Sequence, residues 1–331
     1  MNLVDAFDRK IQNVRISIQD KCDLRCVYCM PENGVKWLDK KEQLTFSEIF
    51  KLIEVFNDLD VKKIKLTGGE PLLRKDVIEL IKKITIDLPK IELSMTTNGV
   101  LLSKYGKQLF NAGLRRVNIS LDTLNHDKFE EITRKNKLNQ VLEGIKCAIE
   151  VGLEVKINAV SIKNFNDDKK SLNEFINFSE RNNIPIRFIE LMPFTGNEWN
   201  FDNYVSSEEL RETIKSSNKL IPLKIADKSS TAKYWGTEKN KATVGFISSV
   251  SESFCENCNR IRVTAEGKLR PCLHRHLEYD LRPYLNGQKR FENISKFIQM
   301  AINEKWKEHP NFLALRYKPP IDDREMIRIG G

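Results

Sequence analysis

The sequence predicts an α/β fold: an incomplete (β/α)6 barrel of the TIM type over residues 1–193, with a C-terminal α+β extension over 194–331 closing its open side. Three observations predict it. Short apolar runs alternate with longer helical patterns six times. The unusual residues fall where those runs end. After Pro193 the rhythm breaks.

The strand-like runs are Val14–Ile18, Ile64–Thr67, Ile91–Thr96, Val117–Leu121, Val155–Val160 and Ile186–Leu191. Between them lie helical patterns near Phe46–Asn57, Val77–Ile86, Lys104–Asn111, Val141–Glu150 and Leu172–Arg181. Ser47-Glu48 and Asp76-Val77 read as helix starts, and Gly113 and Gly152 as the glycines that end helices. Such alternation puts helices outside a parallel sheet. It suits a doubly wound sheet as well as an open barrel, and in both the ligand sits at the C-terminal strand ends. Those ends carry Gly68-Gly69-Glu70, Thr97-Asn98-Gly99, Ser120 with Asp122, and Met192-Pro193. In the extension, Ser207–Lys215 and Phe291–Glu304 read as helices and Ala242–Ile247, Ile261–Thr264 and Lys268–Arg270 as strands.

Composition narrows the function classes. With 40% hydrophobic and 31% charged residues the chain can bury a core, which excludes a mainly disordered protein. No run approaches the ~18–20 apolar residues of a membrane span. Residues 1–10 carry Asp5, Asp8, Arg9 and Lys10 without an apolar segment, so the expected location is the cytoplasm and no membrane contact is expected. A net charge of +9 favours an anionic partner. Lys62-Lys63, Lys82-Lys83 and Lys169-Lys170 read as solvated surface, and no block of like charge suggests nucleic acid.

The seven cysteines carry the most information. They fall as Cys22, Cys26 and Cys29, then Cys147, then Cys255, Cys258 and Cys272. Cys147 lies in a helical pattern and reads as a small buried hydrophobe. The first trio, C-x3-C-x2-C, directly follows the first strand. Three thiolates suit an iron–sulfur cluster with one iron left open, or structural zinc completed by a distant fourth ligand. The second trio, C-x2-C-x13-C, is also compatible with zinc, with His274 or His276 as fourth ligand.

The first trio with Tyr28 beside Cys29, followed by Thr67-Gly68-Gly69-Glu70-Pro71 after the second strand, resembles the radical S-adenosylmethionine (SAM) superfamily. Together with Cys255-x2-Cys258-Asn-Arg-Ile-Arg, Pro271-Cys272-Leu273 and a terminal Gly-Gly, the chain from Arg15 to Gly331 resembles the MoaA family, the GTP 3′,8-cyclases of molybdenum-cofactor biosynthesis. The resemblance implies a lyase with two [4Fe-4S] clusters, ligated by Cys22, Cys26 and Cys29 and by Cys255, Cys258 and Cys272. A 5′-deoxyadenosyl radical made from SAM would take hydrogen from C3′ of GTP, whose carbon radical would close onto C8 to give 3′,8-cyclo-7,8-dihydro-GTP.

By position, Tyr28, Gly69, Ser120 and Met192 match SAM-side residues; Arg15, Lys65, Thr96, Lys156, Arg187, Arg260 and Arg262 match GTP-side residues. A charge facing inward from a strand is costly unless paired, so a triphosphate explains cations in four barrel strands; solvated faces or carboxylate partners are the plain alternative. Arg260 and Arg262 alternate and so share a strand face. At Lys65 the family often has Arg; Lys keeps the charge and loses the bidentate fork. Gly330 and Gly331 would let the tail approach the active site, and with Arg260 and Arg262 they form the expected catalytic group. The resemblance also implies a homodimer, an electron donor outside the chain, and a downstream cyclic pyranopterin monophosphate synthase. A radical SAM peptide or protein maturase with an auxiliary cluster is the rival within enzymes; a zinc-bearing nucleic-acid-binding protein is the rival outside them.

Overall fold

The computed structural model describes residues 2–194, 197, 200–224, 229–238, 242–313 and 324–330. Six strands follow one another: β1 (Asn13–Ser17), β2 (Lys63–Thr67), β3 (Glu92–Thr97), β4 (Arg116–Ser120), β5 (Glu154–Ser161) and β6 (Ile186–Glu190). They pair in parallel and in chain order. Right-handed crossovers that always advance one strand in the same direction put every helix on the same face. Those helices are α1 (Phe46–Asp58), α2 (Val77–Asp87), α3 (Leu102–Asn111), α4 (His126–Thr133), α5 (Leu138–Glu150) and α6 (Lys169–Asn182).

The extension adds α7 (Ser207–Lys215), β7 (Leu220–Leu223), β8 (Lys233–Thr237), β9 (Thr243–Ile247), β10 (Arg260–Val263), β11 (Lys268–Arg270), β12 (Tyr279–Asp280), α8 (Arg282–Leu285) and α9 (Ile294–Asn303). Its strands join both edges of the same sheet. β10 pairs in parallel with β1, and β9 in parallel with β6, giving the order β12-β11-β10-β1-β2-β3-β4-β5-β6-β9-β8-β7. The hydrophobic core is continuous across residue 193, running from Val14 and Ile64 to Val244, Ile261 and Ile302.

The strands alternate sharply. Val14 and Ile16, Ile64 and Leu66, and Val155 and Ile157 are buried toward the helices; Arg15, Lys65, Lys156 and Asn158 point the other way. Parallel strands covered on both faces read as unbroken apolar runs. Here one face is apolar and packs on helices, and the other is polar. The sheet also curls: Arg15 on β1 feels the charge of Arg187 on β6, five strand spacings away, about 24 Å in a flat sheet.

Local signals moved in a few places. α1 is capped by Thr45, not at Ser47: the Thr45 hydroxyl accepts from the Glu48 amide (3.3 Å) and the Glu48 carboxylate accepts from the Thr45 amide (2.8 Å). Asp76 stands before α2, but its carboxylate is taken by Arg74 at 2.6 and 3.1 Å. Gly113 and Gly152 end α3 and α5 at φ +99° and +88°. The stretch from Phe291 opens as a 3-10 turn and becomes helical only from Ile294. Cys147 is half-buried rather than buried, 3.8 Å from the Ser103 carbonyl in the seam between α3 and α5.

Candidate active site

The first cysteine loop leaves β1 and is held by arginines. Arg25 donates to the Cys22 and Leu24 carbonyls at 2.5 and 2.8 Å, and Arg134 to the Arg25 and Met30 carbonyls at 3.2 and 3.1 Å. The Gly68-Gly69 turn packs flat on the preceding backbone. The Gly69 amide donates to Gln19 O at 2.6 Å, and a Cβ on Gly69 would lie 2.3 Å from Lys21 O, so only glycine fits. Glu70, fully buried, accepts from the Leu72 amide (2.9 Å), the Thr97 hydroxyl (2.9 Å) and the Asn98 amide (2.7 Å). Asn98 in turn donates to Asp23 (2.7 Å) and reaches Cys22 Sγ (3.7 Å). The turns after β2 and β3 thus brace the loop that carries Cys22.

Burial pushes the Cys22 thiol up to about 11, with Glu70 adding to it; Cys26 and Cys29 are raised further by burial, Cys26 also by Asp122, Cys29 and Cys22, and Cys29 also by Cys22 and Asp122. Buried thiols that resist ionisation become thiolates when a metal centre binds them. The Tyr28 hydroxyl donates to Asp122 at 2.7 Å, and Asp122, lifted to about 6 by burial, also accepts from the Val160 amide at 2.8 Å. Tyr28, Met192, Val160 and Ile162 pack on Leu191, Tyr204, Val250 and Phe312. The Met192 carbonyl accepts from Asn197 at 2.7 Å.

The second trio converges where β10 and β11 begin and end. Cys255 is buried, and the Cys258 amide donates to its carbonyl at 3.0 Å. Burial raises Cys258, but Lys305 and Arg260 bring it down to about 6, whereas Cys272 stays raised by burial. Both trios are three-sulfur donor sets, which fits a soft centre. His274, weighed as a fourth zinc ligand, lies stacked on Phe194 (5.4 Å) and tilted against Phe312 (5.0 Å). Among the described residues no three His, Cys, Asp or Glu side chains have the close geometry of a single-ion site.

The cations gather on the polar face. Arg15 stands in register with Arg262 on β10 and Lys65 on β2. Lys65 is driven well below its usual range by burial and by Arg15, Arg187, Lys156 and Arg260; Arg15 is brought to about 10 by burial, Arg260 and Arg187. Neither Arg15 nor Lys65 has an ion pair among the described residues. Lys156 differs, since Glu154 on its own strand pairs with it at 2.9 Å. Arg187 donates to Asn118 at 2.5 Å, yet its Nε, Arg260 Nη2, and the side-chain oxygens of Asn13, Asn158 and Asn259 are buried without a partner. Such groups cost free energy unless a ligand completes them. Thr96, half-buried, lies in register with Asn118, and Ser120 with Asn158.

The tail closes the arrangement. The Ile327 amide reaches Cys29 O at 3.4 Å, and Arg262 donates to the Ile329 and Gly330 carbonyls, both at 3.2 Å. The Thr67 hydroxyl also donates to Gly330 O. Gly330 is buried at φ +89°, while Gly331 lies outside the described residues. A path of contacts therefore runs from Cys29 through the tail to Arg262, whose guanidinium feels Cys272. Sequence reading placed Glu70 and Asp122 at the functional strand ends without giving them a role, and passed over Asn118 and Asn158. Their signal was polar residues at inward positions of β4 and β5 and at the strand ends.

Comparison with known proteins agrees with this geometry. The Radical SAM superfamily model matches residues 16–176, and the Molybdenum Cofactor Synthesis C model residues 184–311. The GTP 3′,8-cyclase of Thermodesulfovibrio yellowstonii is 42% identical over 330 residues, covering 99% of both chains. That of Petrotoga mobilis is 42% identical over 332 residues, covering 99% of this chain and 100% of its own. Among solved structures, Streptococcus suis SuiB bound to S-adenosylmethionine aligns with TM-score 0.61 at 15% identity, covering 94% of this chain and 67% of that one; it supports the radical SAM α/β fold. Related along its whole length to these enzymes, the chain belongs to the GTP 3′,8-cyclase family of the radical SAM superfamily.

Proposed function

We propose that the chain is a radical SAM lyase that converts GTP to 3′,8-cyclo-7,8-dihydro-GTP, the first step of molybdenum-cofactor biosynthesis. The observation that carries this reading is the contact path from Cys29 through Gly330 to Arg262 across a cation-lined polar face. Residues 1–193 are read as an incomplete (β/α)6 barrel holding SAM, and 194–331 as the extension that holds the second [4Fe-4S] cluster and the Gly-Gly tail. The first cluster, held by Cys22, Cys26 and Cys29, would with SAM and one electron from the external donor supply the 5′-deoxyadenosyl radical that removes hydrogen from ribose C3′; C3′ would then bond to C8, and a second electron and a proton would complete the 7,8-dihydro product.

The chain's own residues bind and orient. Cys22, Cys26 and Cys29, and Cys255, Cys258 and Cys272, supply the thiolates. Tyr28 and Met192 offer an apolar wall to adenine, Ser120 a hydroxyl, and Gly69, whose amide is committed to Gln19, a carbonyl to the amino group of SAM. Arg15, Lys65, Lys156, Arg187, Arg260 and Arg262 match the charge of the triphosphate, and their mutual repulsion is relieved when it binds. Thr96 lies on the same face. The Gly-Gly tail would bring main chain against the reacting sugar, and Arg262 holds the Ile329 and Gly330 carbonyls. Holding both reactants in a closed, dry cavity is the larger part of such catalysis. The remaining parts of the reading are a homodimer in the cytoplasm, an external electron donor, and cyclic pyranopterin monophosphate synthase as consumer of the product.

The test is anaerobic reconstitution with iron and sulfide, reduction, and incubation with SAM and GTP, ATP or no nucleotide. GTP-dependent 5′-deoxyadenosine together with a cyclised nucleotide supports the reading. SAM cleavage without that nucleotide moves the substrate to a peptide or another small molecule. Zinc in the isolated protein and no cleavage overturns it.

A further inference from the structure

Two buried cations clasp the second cysteine trio from outside the cation-lined face. Arg9, 8% exposed, donates to Cys255 O at 2.7 Å, Lys307 O at 2.8 Å and Trp306 O at 2.6 Å, and is neutralised by Asp5 at 2.6 Å. Lys305 lies just beyond α9 and is 4% exposed. Its ammonium donates to Arg260 O at 3.0 Å and Pro271 O at 2.8 Å. Unlike Arg9, it has no carboxylate partner among the described residues. A buried ammonium held only by carbonyls is costly unless an anion lies within reach. The two carbonyls it holds flank the trio, one two residues after Cys258 and the other immediately before Cys272.

The contacts are also placed to shape the trio. Arg260 lies two residues beyond Cys258, and Pro271 directly precedes Cys272. One ammonium therefore draws together two backbone segments that are not neighbours in sequence, while Arg9 secures the segment of the third cysteine. A lysine that merely covered helix-end carbonyls would bond the carbonyls of α9, which Lys305 does not do through Nζ. We infer that Lys305 is a positioning residue of the second cluster: it pins the backbone beside Cys258 and Cys272, and its unneutralised charge favours the more negative, reduced state of the bound cluster. The inference rests on the two-cluster reading above.

The experiment compares full-length wild type with Lys305→Met and Lys305→Arg, all reconstituted anaerobically and checked for unchanged melting temperature. Iron and sulfide are counted per chain, the second cluster's midpoint potential is followed by electron paramagnetic resonance, and iron loss to a chelator is timed. The Met variant is expected to be harder to reduce and to lose second-cluster iron on the order of tenfold faster, as outer partners of metal ligands typically do. The Arg variant should restore both. If the Met variant does not fold, Lys305→Gln carries the same comparison. A Met or Gln variant with wild-type potential and iron retention overturns the inference, as does an Arg variant shifted equally far. Wild type that binds iron for one cluster alone overturns the two-cluster reading, and this inference with it.

Discussion

Gly330→Ala tests the seat of the tail. Gly330 has φ +89°, a conformation that costs an L-residue about 1–2 kcal/mol. The added Cβ would also meet Thr67 Oγ1 at 3.3 Å and Ser17 Cβ at 3.4 Å, tight contacts at the ends of two strands. The anchors that oppose release are the two Arg262 hydrogen bonds and the one from Thr67. None of this strain reaches the main core, so global stability should not change. A penalty of 1–2 kcal/mol raises the released population roughly 5- to 30-fold. Under conditions where reclosing outpaces cleavage, carboxypeptidase removal of Gly330 and the residues before it should accelerate by that factor. Cyclised GTP should fall, and deleting residues 330–331 should abolish it with cluster content intact. Equal digestion rates for wild type and variant would refute the reasoning, as would a loss of melting temperature that matched the loss of the tail.

Further outcomes follow from the same geometry. Lys65→Met removes one of several mutually repelling buried cations; the ligand-free protein should become more stable by about 1 kcal/mol in urea while GTP binding weakens tenfold or more, measured by calorimetry. Glu190, fully buried, accepts from the Ser207, Val250 and Ser251 amides at 2.8 Å each, so Glu190→Gln sets an NH2 group against N–H donors and should cost about 3 kcal/mol in urea unfolding. Burial pushes Asp168 up, but the Ser171 hydroxyl and amide and Lys128 hold it down to about 2 against 3.8 unperturbed. Being lowered, its contribution is complete above about pH 5 and is lost as pH falls through about 2. Allowing for its exposure, Asp168→Ala should remove about 1 kcal/mol at pH 7 and progressively less as pH falls through about 2.

The alternation of strands and helices was legible because the outward face of each strand is apolar and regular. The six predicted strands overlap β1 to β6, since Val14, Ile64, Val117 and Val155 each face helices. What periodicity could not show was the second face. Arg15, Lys65 and Lys156 interrupt their strands singly, and only the register of β10 with β1 shows that Arg262 stands beside Arg15. α4 is eight residues long and half charged, too short and polar to stand out. β7 and β8 have one apolar face or none, so their pattern was weak. Nothing local in the sequence announces that the Lys305 ammonium is enclosed by two distant carbonyls.

The sheet's two outer strands have a consequence for how this protein survives in a crowded solution. A closed barrel has no edges; the order here ends in β7 on one side and β12 on the other. Free edges are templates onto which another chain can add a strand. β12 is only two residues long, too short to nucleate such growth. β7 is longer, with Ile221 and Leu223 exposed, but Pro222 removes one donor from its backbone and Lys219 and Lys224 flank it. Proline and charge at one margin, and brevity at the other, keep the open sheet from polymerising edge to edge. The sheet margins are therefore poor surfaces for contact between copies of this chain.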